Sequence, residues 1–259
     1  MKELFNDLFF IPLYNVLVFF IDVIPGGDVG LAVISLTLVV KFVLFPLSKS
    51  AVRTSIKSRE VQKDLDELKL KFKDNREEMG RAMLDLYKTN GINPFSGILL
   101  IFIQLPVVLA LYWVISKGGL PVINTDILYS FINAPQLIDM TFLGVFHIAE
   151  SKSFVLALLA AITQHIQARL SFPKQEKSDK PVSDKPDFKE DLMRGMQIQI
   201  KWVLPVMVFA FSYGLISVVA LYWTVSNLFA IGQEIYIRET IKKPAQKKKD
   251  ELANNIGNI

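Results

Sequence analysis

The stretch Val29-Gly-Leu-Ala-Val-Ile-Ser-Leu-Thr37-Leu-Val-Val-Lys41-Phe-Val-Leu-Phe-Pro46-Leu47 decides how this chain is read. As a helix rising about 1.5 Å per residue, it is long enough to cross a bilayer. Lys41 is the sole cation in the interior of a long apolar run, Arg169 standing at the very end of another. An ammonium at that depth costs about 3 kcal/mol or more unless it meets water or a partner. Lys41 is therefore expected to face a polar chamber and to mark a function.

Working outward, half the residues are hydrophobic (51%), yet the chain carries 29 Lys+Arg and 25 Asp+Glu. Charge and apolarity must be segregated along it, whereas a soluble protein of this length mixes them around one or two cores. There is no cysteine, which excludes disulfides, zinc-thiolate sites, thiol catalysis and a lipidated cysteine. Further apolar segments run from Gly97 to Ile115, Ser153 to Leu170 and Trp202 to Ile231. The last would measure about 45 Å as one helix against a hydrocarbon core of about 30 Å, so two spans with a turn near Ser212-Tyr213-Gly214 are expected.

The cations test this parse. Eleven Lys/Arg lie between Lys49 and Lys88, eight between Arg169 and Lys201, and six between Arg238 and Lys249. Three basic clusters on one side, with the basic-poor segment Ser116 to Lys152 on the other, form the positive-inside pattern and require an even number of spans between clusters. Five spans result, with the N-terminus outside and the C-terminus cytoplasmic. The fold expected is an all-α membrane protein with an N-terminal interfacial helix and a cytoplasmic helical hairpin. Its boundaries are 1–28 for the outer interfacial segment, 29–48 for the first span and 49–92 for the hairpin. The second span is 94–116, the outer loop 117–151 and the third span 152–171. A disordered cytoplasmic loop (172–195), the fourth span (196–212), the fifth (215–237) and a basic cytoplasmic tail (238–259) complete it.

Two segments need their own argument. Leu8 to Ile24 lacks the basic n-region and small-residue cleavage site of a signal peptide. Pro12, Asn15 and Asp22 interrupt it, so it reads as a helix lying in the outer interface, with a sixth span as the alternative. From Ser50 to Asn90 the chain is charged but periodic. Val61, Leu65, Leu68 and Phe72 form one apolar seam, and Met79, Met83 and Leu86 another after the Asp74-Asn75 break. Asn75 with Glu78 has capping-box spacing, and Gly91 before Asn93-Pro94 ends the second helix. By contrast, Pro173 to Asp191 repeats Ser-Asp-Lys-Pro, is nearly devoid of apolar residues and reads as a disordered tether.

No zinc-protease, nucleophile-elbow or phosphate-loop motif is present, nor a pair of intramembrane aspartates, so neither an enzyme nor a cofactor or metal is expected. His147 and His165 read as satisfied interfacial histidines. Within the spans, Thr37 precedes Lys41 by four, Thr163 precedes Gln167 by four, and Trp223 precedes Asn227 by four; each pair shares a helix face. With Gln104, these residues are candidates to line one wet chamber. Plain interhelical hydrogen bonding accounts equally for the Thr, Gln and Asn side chains. It does not account for Lys41, because no Asp or Glu lies inside the apolar runs to pair with it.

Val40-Lys41-Phe-Val-Leu-Phe-Pro46-Leu47, Leu86-Tyr87-Lys-Thr-Asn90-Gly91-Ile92-Asn93-Pro94, Ile103-Gln104-Leu105-Pro106 and Leu221-Tyr222-Trp223-Thr-Val-Ser-Asn227-Leu, in this order, resemble the YidC insertases and their mitochondrial and chloroplast relatives. The resemblance runs from about Pro12 to Arg238. It implies a five-helix core with a cytoplasmic hairpin and a hydrophilic groove that is open to cytoplasm and lipid but closed outside. Polar parts of a nascent membrane protein enter the groove while apolar segments pass into the bilayer. By the same matching, Lys41 stands where the family usually has arginine, and Gln167 and Trp223 line the groove. Lysine lacks arginine's bidentate fork, and Ser212-Tyr213-Gly214-Leu215 replaces the usual Phe-Pro-x-Gly-Leu turn. Neither the large outer domain of some relatives nor their cleaved signal is expected. The implied partners are nascent membrane proteins and the lipid bilayer, with a secretion translocon as a further candidate. The lysines of Ile241-Lys-Lys-Pro-Ala-Gln-Lys-Lys-Lys249 suggest a ribosome contact or an anionic-lipid anchor. A small transporter or channel with Lys41 as its pore cation is the alternative function.

Overall fold

The computed structural model of the chain describes residues 2–73, 75–93, 96–116, 120–171 and 202–256. It is mostly helical and divides into two compact units, residues 1–43 with 102–230 and residues 44–101 with 231–259. The helices are α1 (Lys2–Phe5), continued through a π-helical turn (Asn6–Phe10) into α2 (Ile11–Val23), then α3 (Val29–Val43), α4 (Phe45–Glu60), α5 (Gln62–Lys71), α6 (Arg76–Thr89) and α7 (Ser96–Ser116). A two-stranded hairpin, β1 (Thr141–Phe142) and β2 (Phe146–His147), precedes α8 (Phe154–Ser171), α9 (Leu204–Gly214) and α10 (Ser217–Ile256). Among the described residues, Glu3–Val23 and Phe154–Ser171 are long and apolar enough to cross a membrane, and α3 with the start of α4 makes a third if counted as one span. The expected tether at 172–195 and the first six residues of the expected fourth span lie outside the described residues.

Local chemistry sets the helix ends in the first unit. Ile24 precedes Pro25, and the proline ring pushes it to an extended backbone (ψ 124°), which stops α2. Gly26 and Gly27 then take positive φ of 83° and 64°. A Cβ on Gly27 would sit 2.1 Å from the Leu137 carbonyl oxygen, so glycine there is required by both conformation and space. Asp28 caps α3, its Oδ1 accepting from the Leu31 N–H at 2.9 Å. Helix α3 breaks at Leu44, ahead of the expected end at residue 48, and Pro46 falls in the first turn of α4, where its missing donor is tolerated.

Helices α2, α3 and α7, the start of α10 and residues 120–148 share one apolar core, including Tyr14, Leu17, Val33, Leu111, Phe142, Ile148 and Val218. A second cluster joins α8, α9 and α10 through Leu156, Ala160, Val208 and Ala220. The course of the N-terminal helix follows from its two ends. Phe5 meets Trp113 edge-on with 5.1 Å between ring centroids, three residues before α7 ends. Its other end turns directly into the first residue of α3. The helix thus runs from the Ser116 end of α7 to the Val29 end of α3.

Residues 120–152 form an ordered cap stitched to the helices by long-range hydrogen bonds. The fully buried Asn15 donates to Ile127 O at 2.8 Å and accepts from the Tyr129 N–H at 2.7 Å. The Tyr14 hydroxyl accepts from the Asn124 N–H at 2.7 Å. Val29 N–H donates to Asp139 O, and Asp139 N–H to Gly27 O, both at 2.9 Å. On the far side, the Ser217 and Val218 amides, unpaired first-turn donors of α10, bond Glu150 O and Ile148 O at 2.8 and 2.9 Å.

In the second unit, Val61, Leu65 and Ile92 are buried together with Met83, Leu86 and Tyr87 packed on them, so the two seams meet. Asn75 caps α6, accepting from the Glu78 N–H at 3.2 Å. The other end closes in a Schellman arrangement: Ile92 N–H donates to Tyr87 O at 2.8 Å and Gly91 N–H to Lys88 O at 3.0 Å, with Gly91 at φ 60°. Ile92 completes the motif by packing on Leu86 and Tyr87. This gives the segment Leu86 to Asn93 a physical reason for its composition.

Candidate functional site

The cation of the apolar helix α3 meets a neutral amide. Lys41, half-buried in the last turn of α3, donates from Nζ to Gln104 Oε1 on α7 at 3.3 Å. The Gln104 Nε2 donates in turn to the Tyr222 hydroxyl on α10. Three helices are thereby joined by one polar chain, and Tyr222 is almost fully buried at its end. An amide oxygen and a phenol stabilise an ammonium by dipole alone. Neither of them carries an opposite charge.

The other expected residues fall into separate groups. Asn227 Nδ2 on α10 donates to Thr163 Oγ1 on α8 at 3.3 Å, a buried interhelical bond. Thr163 also bonds the Leu159 carbonyl of its own helix at 2.8 Å. Gln167 lies one turn on, taking a bond from Gln164 Nε2 at 3.4 Å and donating to Ser171 Oγ at 3.0 Å. Trp223 is half-buried between the two apolar clusters and packs on both. Thr37 is not brought to the Lys41 chain. It is fully buried and donates back to Val33 O at 2.6 Å, the back-bonding that a helical threonine makes when no external partner is offered.

Three residues were missed by the sequence reading. Tyr222 sits in the same motif as Trp223, and with Ser226 it repeats the step of four that selects Trp223 and Asn227. Gln164 flanks Thr163 and is equally buried. Asn15 was read as an interruption of an apolar helix, whereas it is the post to which the cap is tied.

The histidines are placed simply. His147 Nδ1 lies 3.8 Å from Glu150 Oε1 on an exposed surface, and the His165 ring packs against Trp202 with centroids 4.8 Å apart. Among the described residues, no group of His, Cys, Asp and Glu is arranged to hold a metal ion. Phe42, Val43, Leu105 and Leu109 on α3 and α7 and Leu158, Ile162 and Ile166 on α8 are exposed. So broad an apolar exterior fits a hydrocarbon solvent.

Residues 19–246 match the family model described as 60Kd inner membrane protein. A relative from Shewanella woodyi, named Membrane protein insertase YidC, is 30% identical over 237 residues, 92% of this chain and 38% of its own length. Relatives of the same name from Methylobacillus flagellatus and Stutzerimonas stutzeri are 30% and 31% identical over 220 residues, 85% of this chain and 34% of theirs. The chain thus spans well under half the length of these curated relatives. Together with the apolar helices, the match makes it a multi-pass protein of a bacterial inner membrane. It belongs to the 60Kd inner membrane protein family, whose curated members include the YidC membrane protein insertases.

Proposed function

We propose that this chain is a membrane protein insertase and chaperone that uses no nucleotide of its own. Polar parts of a nascent membrane protein enter a hydrophilic intramembrane groove on the Lys41 side, and apolar segments leave it into lipid. The observation that carries the reading is the Lys41–Gln104–Tyr222 chain. A cation is held in an apolar helix by neutral partners, so its charge stays available to a client. Gln104, Trp223, Thr163, Gln167 and Asn227 line the groove, while Thr37 stiffens the wall behind Lys41.

The proposed topology has five spans, an outer N-terminus and a cytoplasmic hairpin at 49–92. Both α3 and α7 lead into that hairpin, so Val29 and Ser116 lie together on the outer side. A helix running between those two ends lies across the outer surface, although its length and composition alone would allow it to cross. The hydrogen-bonded cap favours a groove closed on that side, which argues against the channel reading. The hairpin receives clients, and the lysine-rich end of α10 contacts the ribosome; a secretion translocon is a further partner.

Insertion into proteoliposomes tests the proposal. Lys41→Arg retains insertion of a client with an acidic translocated tail, while Lys41→Ala and Lys41→Glu impair it. Full activity of Lys41→Glu on that client contradicts the electrostatic role. Ion or solute flux through wild-type protein without a client would favour the channel.

A further inference from the structure

The turn joining β1 to β2 is built against its own chemistry. Val145 N–H closes it onto Phe142 O at 3.1 Å, and its two central residues, Leu143 and Gly144, have φ of 54° and 68°. Two successive residues in the left-handed region demand Asn, Asp or Gly at the first of them. A leucine there bears the left-handed strain of an L side chain and gains no burial for it, because it is 62% exposed. Val145 beside it is 71% exposed.

The tip is not loose. Asp28 Oδ2 accepts from the Leu143 N–H at 2.9 Å while its other oxygen caps α3. A Cβ on Gly30 would meet the Phe142 ring at 2.4 Å, so the hairpin lies directly on the first turn of α3. Leu137, 61% exposed, is held at the same place by the contact of its carbonyl with Gly27, and Val23, 60% exposed, ends the helix leading there. Four aliphatic side chains thus surround the start of α3, beside an apolar helix that must continue into hydrocarbon.

We propose that Leu143 and Val145, with Leu137 and Val23 beside them, form a lipid anchor that inserts into the outer leaflet at the head of the first span. The proposal rests on the topology argued above. Asparagine would relax the turn but would carry an amide into the acyl boundary, where it loses its water partners. Leucine is the reverse choice, and lipid is the occupant that makes it favourable. The anchor is fixed to the first turn of α3 by Asp28, so it would hold the head of that helix at constant depth.

The chain has no cysteine, so single labels report cleanly. Nitroxides at Val145→Cys and Leu137→Cys in full-length protein, reconstituted in phosphatidylglycerol/phosphatidylethanolamine vesicles, should be several-fold more accessible to oxygen than to a polar nickel complex, relative to Asp126→Cys. Adding Leu143→Asn should raise the melting temperature in detergent yet shift the Val145 label toward the nickel complex. A merely structural turn would give the first effect without the second. Equal accessibility at Val145 and Asp126 overturns the anchor, as does dipolar broadening between labels, which would mean pairing of two copies. Labelling of Asp126→Cys by an impermeant maleimide on intact cells keeps the two readings apart. If Asp126 is labelled from outside and Val145 is wet, the anchor alone fails; if Asp126 is not labelled, the topology fails with it.

Discussion

Replacing Asn15 by leucine tests whether the cap is a fixed closure. The change keeps the number and branching of side-chain heavy atoms in α2 but removes the amide that joins two distant parts of the chain. Ile11 O loses little, since it is a carbonyl inside a helix. Ile127 O and the Tyr129 N–H lose the partner shown for them, at 2.8 and 2.7 Å. An unpaired buried backbone group costs about 1–3 kcal/mol. Both bonds are only partly buried, so the lower half of that range applies and the pair sums to about 2–4 kcal/mol. For a chain of this size that corresponds to a fall in melting temperature of about 5–10 °C. The tryptophan fluorescence melt in detergent reads the global effect, because Trp113 contacts the same helix through Phe5. Amide exchange reads the local one, and Tyr129 should exchange much faster in the variant while α8 is unchanged. A melt within 1 °C of wild type, with Tyr129 equally protected, would refute the claim that Asn15 holds the cap.

Other expectations follow from the same contacts. Gly30→Ala drives a methyl into the Phe142 ring and should cost about 1–3 kcal/mol, read in the same melt, with Phe142→Ala in the double variant restoring part of the loss. Gly91→Ala places a side chain at φ 60° with Lys57 Nζ 3.2 Å away, and should lower the stability of the second unit by about 1 kcal/mol without touching the first. Hydrogen exchange in nanodiscs should be faster across α5 and α6 than across α8, because among the described residues their shared core is three buried side chains with three more packed on it. Protection equal to that of α8 would count against a mobile client-landing element. Removing residues after Thr240 should weaken ribosome cosedimentation, with a loss that steepens as salt is added; equal binding at low salt would leave those lysines a lipid anchor only.

Elements that advertise themselves locally were legible. The apolar runs gave α7 and α8 close to their ends, since a helix in lipid must be apolar over its whole length. The Asn75 cap and the Gly91 stop were legible because a cap is a contact over three residues. Lys41 stood out because a charge within an apolar helix has no bland explanation. What escaped depends on distance along the chain. The order of residues 120–152 comes from Asn15, Tyr14 and Asp28 bonding partners more than a hundred residues away, with no periodicity to betray it. The step of four picked out Thr163 and Asn227, which bond each other, but it could not tell that the Thr37 hydroxyl would turn to its own helix. Tyr222 escaped because an aromatic in an apolar span looks like packing until its hydroxyl finds Gln104.

The central claim is that polar client segments pass beside Lys41 within the membrane. A photocrosslinking residue at Gln104, whose native side chain touches the Lys41 ammonium, and another at Leu109, exposed on the same helix, compare the two environments directly. With a ribosome-stalled nascent membrane protein in inner-membrane vesicles, the account predicts adducts from Gln104 to the polar translocating segment at early chain lengths. At Leu109 it predicts adducts only to apolar segments, and later. Equal labelling of the polar segment from both positions, or none from Gln104 at any chain length, would contradict it.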